Sequence, residues 1–382
     1  MSDPSAVADF EVPGVLRVRA HDASHGDLAA VARDVGSARA ATREPADVTV
    51  RFVDELSPAS LHILDGGTMG YDDERVYFLE ATGRRAVAGV TLGERWGEAL
   101  IVCRRGARRV PFLSAAVDFA ALARGWMPVH GSAWVTRGGA GVVVAGWARS
   151  GKTGALLEAC EAGATPVGDD RVLLSRDGSR MIGLGRPIEV KSWHLAQLAL
   201  PALGGRPLGR AVAKGTSALA ARLSSSRHRS PGRESAFVGP AYKVLGRFQT
   251  SSNIELDVQL LRANPSALAE ARPDALIILE SHYHPSVVAE RTDSRTVPSR
   301  LAAQLTAELM PALRGHLAFE YARPGRGWRD VGRAPEMARE LLGEATRGVP
   351  ANLVRHPYPC SLRELGDVIR EAVASAPPRN AP

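Results

Sequence analysis

The residues with the clearest chemical potential lie in one run, Gly141-Val-Val-Val-Ala-Gly146-Trp147-Ala148-Arg149-Ser150-Gly151-Lys152-Thr153. Its last eight residues fit the pattern G-x-x-x-x-G-K-[ST], with an apolar strand entering and an amphipathic helix leaving. Gly146 permits the tight turn out of the strand. Gly151 lets backbone N–H groups close on phosphate oxygens, where the helix N-terminus adds a favourable dipole. Lys152 suits the β- and γ-phosphate charge, and the Thr153 hydroxyl suits Mg²⁺. The chain has only four lysines, and one stands here. All eight positions, Gly146 to Thr153, are therefore expected to bind nucleotide phosphate.

Phosphate binding alone does not choose between a kinase and a hydrolase. Sixteen and seventeen residues after Thr153 come paired acids, Asp169 and Asp170, in ATPVGDDRVLL. The intervening helix and short strand return the chain to the same sheet edge. There one carboxylate can hold Mg²⁺ while the other accepts a proton from an attacking hydroxyl. A solvated Asp-Asp turn is the bland alternative. Upstream, His130 in WMPVHGSAWV precedes the phosphate strand and its hairpin, although a lone histidine at a strand start is more often structural.

Other candidates are weaker. His282 and His284 alternate on one strand face but lack a third metal ligand nearby, so a polar strand end is the better reading. Leu276-Ile-Ile-Leu-Glu280 resembles a Walker B strand, yet nothing accompanies it that would activate water, and a buried strand explains it.

The elements that must position these residues read as follows. Residues 1–110 carry short strands at Val15–Arg19, Val48–Val53, Val76–Glu80, Ala86–Leu92 and Leu100–Arg104, divided by turn signals. This is a small β-rich N-terminal domain with no recognisable chemistry. Residues 111–382 form the second domain. A helix from Pro111 ends at Gly125. Strands follow at His130–Thr136 and Gly141–Ala145, then a helix Thr153–Ala162 capped by Gly163. Strands at Thr165–Val167, Arg171–Ser175 and Met181–Leu184 complete an α/β layering. Residues 204–247 hold many arginines opposed by little acid, and read as a basic insertion. Beyond it come a buried strand Ala275–Glu280, helices Ser299–Leu313 and Glu336–Thr346, a strand Asn352–Arg355 and a final helix Leu362–Ala374, with Pro324–Arg333 as loop.

Composition narrows the class. An apolar share of 45% can bury a core, and no run reaches the roughly 20 apolar residues of a membrane span. The start, MSDPSAVADFEVPG, lacks a secretory pattern, and Cys103, Cys160 and Cys360 form no C-x-x-C pair. A cytoplasmic protein without membrane attachment is expected. The net charge of +7 favours anionic partners, but aromatics at 5% with no basic–aromatic alternation argue against nucleic acid. A homo-oligomer is compatible with all of this.

The segments HGSAWV, GWARSGKT and GDDRV together resemble the HPr serine kinase family, most closely over Met127–Leu174 and more loosely over Leu122–Leu317. The resemblance implies a P-loop core sheet of the HPr-kinase-like, phosphoenolpyruvate-carboxykinase-like type with flanking helices. It implies ATP and Mg²⁺ as cofactors and a hydroxyl on a peptide, protein or small molecule as acceptor. Lys152 and Thr153 would serve ATP and Mg²⁺. Asp170 would accept the proton and Asp169 support the metal, with an exchange of these two roles left open. His130 would lie near the transferred phosphate. Three departures stand out. Ala148 and Arg149 replace the family's Ser and Gly, which bears on the path of the loop; Arg149 either touches the γ-phosphate or, the favoured reading, points to solvent. The run Ile182-Gly-Leu-Gly-Arg186 echoes the family's phosphorolysis signature but lies too close to the acid pair, leaving dephosphorylation unsupported. The N-terminal region does not resemble that of authentic HPr kinases, so the acceptor need not be HPr. A nucleotide-binding accessory protein that is non-catalytic or weakly hydrolytic, for example in peptide maturation, is the alternative function.

Overall fold

The computed structural model describes residues 7–58, 60–64, 67–80, 85–93, 97–191, 194, 197–198, 254–256, 261, 270–293, 295–325 and 331–376. The basic insertion at 204–247 and most of the C-terminal tail lie outside them.

Alternating apolar residues build a nine-stranded sheet from the first hundred or so positions. Its strands are β1 (Ala8–Val12), β2 (Leu16–His21), β3 (Arg39–Ala40), β4 (Val48–Val53) and β5 (His62–Leu64). They continue with β6 (Met69–Tyr71), β7 (Val76–Leu79), β8 (Ala86–Leu92) and β9 (Ala99–Arg104). The spatial order is β3-β1-β2-β4-β9-β8-β7-β6-β5. One element was not legible from strand spacing: helix α1 (His25–Val35) lies between β2 and β3. Its start signal is in the sequence, because Ser24 and Asp27 form a reciprocal capping box.

Helix α2 (Leu113–Ala123) leads into β10 (Trp126–Val129), a strand that the sequence reading omitted, and then β11 (Gly131–Val135) and β12 (Gly141–Gly146). Helix α3 (Lys152–Glu161) follows, then β13 (Thr165–Gly168), β14 (Val172–Ser175), β15 (Met181–Gly183) and β16 (Ile188–Val190). The short strands β17 (Ile254–Leu256) and β18 (Glu270–Ala271) precede β19 (Ala275–His282) and β20 (Val288–Arg291). Helices α4 (Val297–Ala322) and α5 (Ala334–Ala345), strand β21 (Ala351–Pro357) and helix α6 (Leu362–Ala374) complete the chain.

Helix α4 contains Pro311, as the expected Ser299–Leu313 did, and continues beyond that span to Ala322. The proline removes one N–H from the ladder, but buried Leu305, Leu309, Ala312, Leu313 and Phe319 keep the helix seated on the core. The segment expected to loop at Pro324–Arg333 ends in a 3-10 turn, Val331–Arg333.

A six-stranded sheet in the order β13-β11-β12-β19-β21-β20 forms the centre of the second half. Strands β12, β19 and β21 run parallel. Their near-continuous apolar runs are those of strands covered on both faces. Val143, Ala145, Leu276 and Ile278 face a core shared with α2 and α4. Val142, Val144, Ile277 and Leu279 face a second core closed by Leu156 and Leu157 of α3 and by Leu365 and Ile369 of α6. A four-stranded sheet, β10-β14-β15-β18, stands beside it. The first core also takes in Phe10, Val18 and Val50 of the nine-stranded sheet, so the N-terminal region packs against α2 without an apolar break. The architecture is mixed α/β. No helix among the described residues is long and apolar enough to cross a membrane.

Candidate functional site

The chain changes sheets twice at one place. His130 is the single residue between β10 of the four-stranded sheet and β11 of the six-stranded one. Asp169, Asp170 and Arg171 make the opposite change between β13 and β14. Val129 pairs with Val172 and Ala133 with Gly168, so the register sets the two crossing segments against each other. His130 Nε2 accordingly lies 3.5 Å from Asp170 Oδ1. Its Nδ1 meets a carboxylate oxygen of Glu308 on α4. His130 is thus a crossing residue and not the first residue of a strand.

The loop between β12 and α3 opens beside this crossing. A Cβ at Gly146 would sit 2.5 Å from the Leu279 carbonyl oxygen and 2.6 Å from Ser150 Oγ, so only glycine fits. Arg149 has φ 66° and Gly151 φ 90°. The left-handed region that glycine enters freely costs another residue about 1–2 kcal/mol. Arg149 therefore holds, under strain, the backbone conformation that suits the glycine of the resembled pattern. Its side chain is exposed, as expected, but it also lines the cavity described below.

Lys152 turns back over the loop, its ammonium donating to the carbonyls of Gly146 at 2.7 Å and Trp147 at 2.9 Å. Burial pushes its pKa down from the ordinary lysine value, against the opposing pull of Glu308, Asp169 and Asp170. Gln304 of α4 donates to the same Gly146 carbonyl at 2.6 Å and to the His130 carbonyl at 3.1 Å. His356, fully buried at the end of β21, places Nε2 2.8 Å from the Ser150 carbonyl oxygen. Both contacts tie the loop to neighbouring elements. The Ser150 hydroxyl is buried without a hydrogen-bond partner among the described residues.

The two aspartates occupy different settings. Asp169 is buried and accepts hydrogen bonds from Ser132 and, at 2.9 Å, from the Thr153 hydroxyl. Burial raises its pKa, and these two hydroxyls oppose the rise. Asp170 has φ 65° and a half-exposed carboxylate at the cavity mouth. Burial acts to raise it too, but Arg186, His130 and Arg171 together hold it down at about 2. Arg186 donates to Asp170 Oδ2 at 2.6 Å. Behind them, buried Arg171 pairs with Glu308 Oε2 at 2.7 Å and Asp118 Oδ2 at 3.2 Å. Full burial pushes Asp118 up to about 6, with Arg171 pulling the other way.

His130, the loop from Arg149 to Thr153, Asp169, Asp170 and Arg186 line a cavity of about 290 Å³, with Arg171, Glu308, Gln304 and His356 behind them. The N-terminal region, from which no chemistry was expected, contributes Arg33 and Arg109 to it. Their placement rests on a backbone contact: a Cβ on Gly36 would lie 2.8 Å from the Gly185 Cα. With two glycines there, the end of α1 approaches closely enough for Arg186 to donate to the Asp34 carbonyl at 2.7 Å.

Sequence spacing located Lys152, Thr153, Asp169, Asp170 and His130, which the structure brings together. It missed Ser132, Gln304, Glu308 and His356, and dismissed Arg186 as too close to the acid pair. Some signals were there to be used. Asp118 is the only acid in the apolar run of α2, and Gln304 and Glu308 form an i,i+4 polar pair on the packed face of α4. Glu280 instead ion-pairs with Arg300 and Arg355 and does not line the cavity, in keeping with a strand-end role. His282 and His284 both turn to Ser286. No group of three or more His, Cys, Asp or Glu side chains suited to a metal occurs among the described residues. No protein-family model matches the chain, and no match was found among curated proteins.

Proposed function

We propose that the protein is an HPr-kinase-like enzyme that transfers the γ-phosphoryl group of ATP, with Mg²⁺, to a hydroxyl acceptor. The observation that carries this reading is the meeting of the Gly146–Thr153 loop with the acid pair in one cavity, joined by the Thr153–Asp169 hydrogen bond. The residues present fit a bound phosphate. The first N–H groups of α3 have no intrahelical partners and no side chain caps them, and the Ser150 hydroxyl lies buried close by. Lys152 needs only to leave two carbonyls to reach an anion. Thr153 and Asp169 are the oxygen ligands that would hold Mg²⁺, which when bound would neutralise phosphate charge.

In the transfer, the acceptor oxygen forms a bond to the γ-phosphorus as the bond from that phosphorus to the bridging oxygen breaks. ADP leaves with the electron pair, and the acceptor proton passes to Asp170. A carboxylate held near 2 is a weak base, but a loose phosphoryl transition state asks mainly for positioning and charge stabilisation. Arg186 and His130 keep Asp170 ionised and aimed; Arg171 and Glu308 hold His130 in place.

The same grip on Asp170 by Arg186 favours the second reading, a nucleotide-binding protein that does not transfer phosphate. A radiolabelled-ATP assay with serine-containing peptides separates the two. Transfer that is lost in Asp170→Asn, with ATP binding retained, supports the kinase. ATP binding without transfer to any acceptor supports the accessory protein.

A further inference from the structure

The cavity has a second wall that the nucleotide reading does not use. Its lining cations outnumber its carboxylates six to three. Lys152 and Arg149 belong to the loop. Around the cavity, Asp169 comes next to the loop and Asp170 after it. Arg186 then joins Asp170 to the end of α1 through Asp34, with a further bond to Ser114 Oγ at 2.9 Å. Arg33 and Arg109 bring the N-terminal region to the cavity, Arg109 through Asp34, which Arg186 also contacts, and Lys191 completes the six.

Arg33 and Arg109 are partly exposed and their ion pairs are long, although Arg33 also donates to the Arg108 carbonyl at 3.0 Å. Arg109 lies 3.6 Å from Asp34 Oδ1 and 3.5 Å from Glu189 Oε1, with 58% of its side chain exposed. Arg33 lies 3.4 Å from Glu255 Oε1, with 36% exposed. Long, exposed ion pairs of this kind contribute little, so a ligand can displace them. Arg186, by contrast, is buried and committed to Asp170. A guanidinium recognises a carboxylate with two parallel donors, and Arg109 is already bracketed by two carboxylates, a charge for which this wall is arranged.

We propose that the acceptor carries a carboxylate close to its hydroxyl, and that Arg109, assisted by Arg33, binds this carboxylate while the hydroxyl meets Asp170. The proposal rests on the kinase reading for its hydroxyl, but its anion site can be tested without turnover.

The probes are N-acetylserine, its neutral methylamide, and a blocked Ser-Asp dipeptide that moves the carboxylate to a side chain. Transfer from ATP with Mg²⁺ and equilibrium binding to protein loaded with a non-hydrolysable ATP analogue are both measured. The expected result is a KM or Kd at least tenfold lower for one or both charged probes than for the methylamide. The more strongly bound of the two identifies the carboxylate source. Arg109→Gln should erase that preference, and Arg33→Gln reduce it, with analogue binding within twofold as a check on folding. Equal use of the methylamide, or a preference that survives Arg109→Gln, overturns the anion site and leaves the kinase standing. Charged probes that bind through Arg109 without any transfer uphold the anion site and count against the kinase. Failure of every probe to bind overturns the proposal.

Discussion

The two walls of the cavity are built in opposite ways. The loop wall comes from 24 consecutive residues, Gly146 to Asp169, linked by short hydrogen bonds such as Thr153–Asp169 at 2.9 Å. The N-terminal wall comes from Arg33, on α1, and Arg109, just ahead of α2, positions far from the loop in sequence, with ion pairs of 3.4 to 3.6 Å and one exposed bond from Arg33 to the Arg108 carbonyl. Close, buried hydrogen bonds fix atoms within tenths of an ångström. Long, exposed ion pairs leave side chains free to meet different ligands. On the proposed kinase reading, this contrast makes nucleotide recognition rigid and acceptor recognition adaptable.

Four measurements can break or sharpen this contrast, and the largest effect is expected at Asp170, where the two walls meet. Asp170→Asn should lower phosphoryl transfer by about 10²- to 10⁴-fold, the usual worth of a positioned acid–base group, with ATP affinity little changed. A comparable loss from Arg109→Gln at saturating acceptor would show that the two walls are not separable.

Next comes Asp118→Ala, which strips buried Arg171 of one of its two carboxylates. Breaking a buried pair costs about 3–5 kcal/mol, and because Glu308 remains the lower end is expected in a urea melt. The isosteric Asp118→Asn tests the pH dependence. A carboxyl raised to about 6 when folded binds its proton more tightly in the native state. Its contribution to stability therefore falls as pH rises from about 4 to about 6, and the Asn variant should lose that slope.

A smaller effect should follow Arg186→Gln. Asp170 is depressed to about 2, so its contribution is present above the unfolded carboxyl value and lost as pH falls toward 2. Removing Arg186 raises the Asp170 pKa. The acidic limb of the transfer–pH profile should then move to higher pH, and an unmoved limb would show that Arg186 does not set it.

The smallest change belongs to Arg149→Gly. Relief of the left-handed strain is worth about 1–2 kcal/mol, but the added freedom of the unfolded chain offsets much of it. The expected gain in a thermal or urea melt is between zero and about 1 kcal/mol. Destabilisation would mean that the Arg149 side chain does more for the fold than its exposure implies.

The legible part of the site has a common physical origin. A strand, a tight turn and a helix are set by local periodicity and by glycines, so Gly146 to Thr153 could be placed on β12 and α3 from spacing alone. The return to Asp169 needed only one helix and one short strand. His130 was harder, because its place depends on β10, a four-residue strand interrupted by Pro128 and following closely on a helix. Glu308 and Gln304 were hidden in a helix whose polar residues usually face solvent. The capping box before α1 is readable in Ser24 and Asp27, and Leu28, Val31 and Val35 follow it at helical spacing.

What the sequence by itself determined is the loop, its lysine and threonine, and the spacing that brings two aspartates to the same sheet edge. These follow from backbone geometry over a few tens of residues. Only the tertiary structure decided which aspartate is buried against Thr153 and which faces Arg186. It also decided that Arg33 and Arg109 reach the cavity at all. Those outcomes depend on the register between two sheets and on the close approach of Gly36 to Gly185, contacts between segments whose separation no local pattern records.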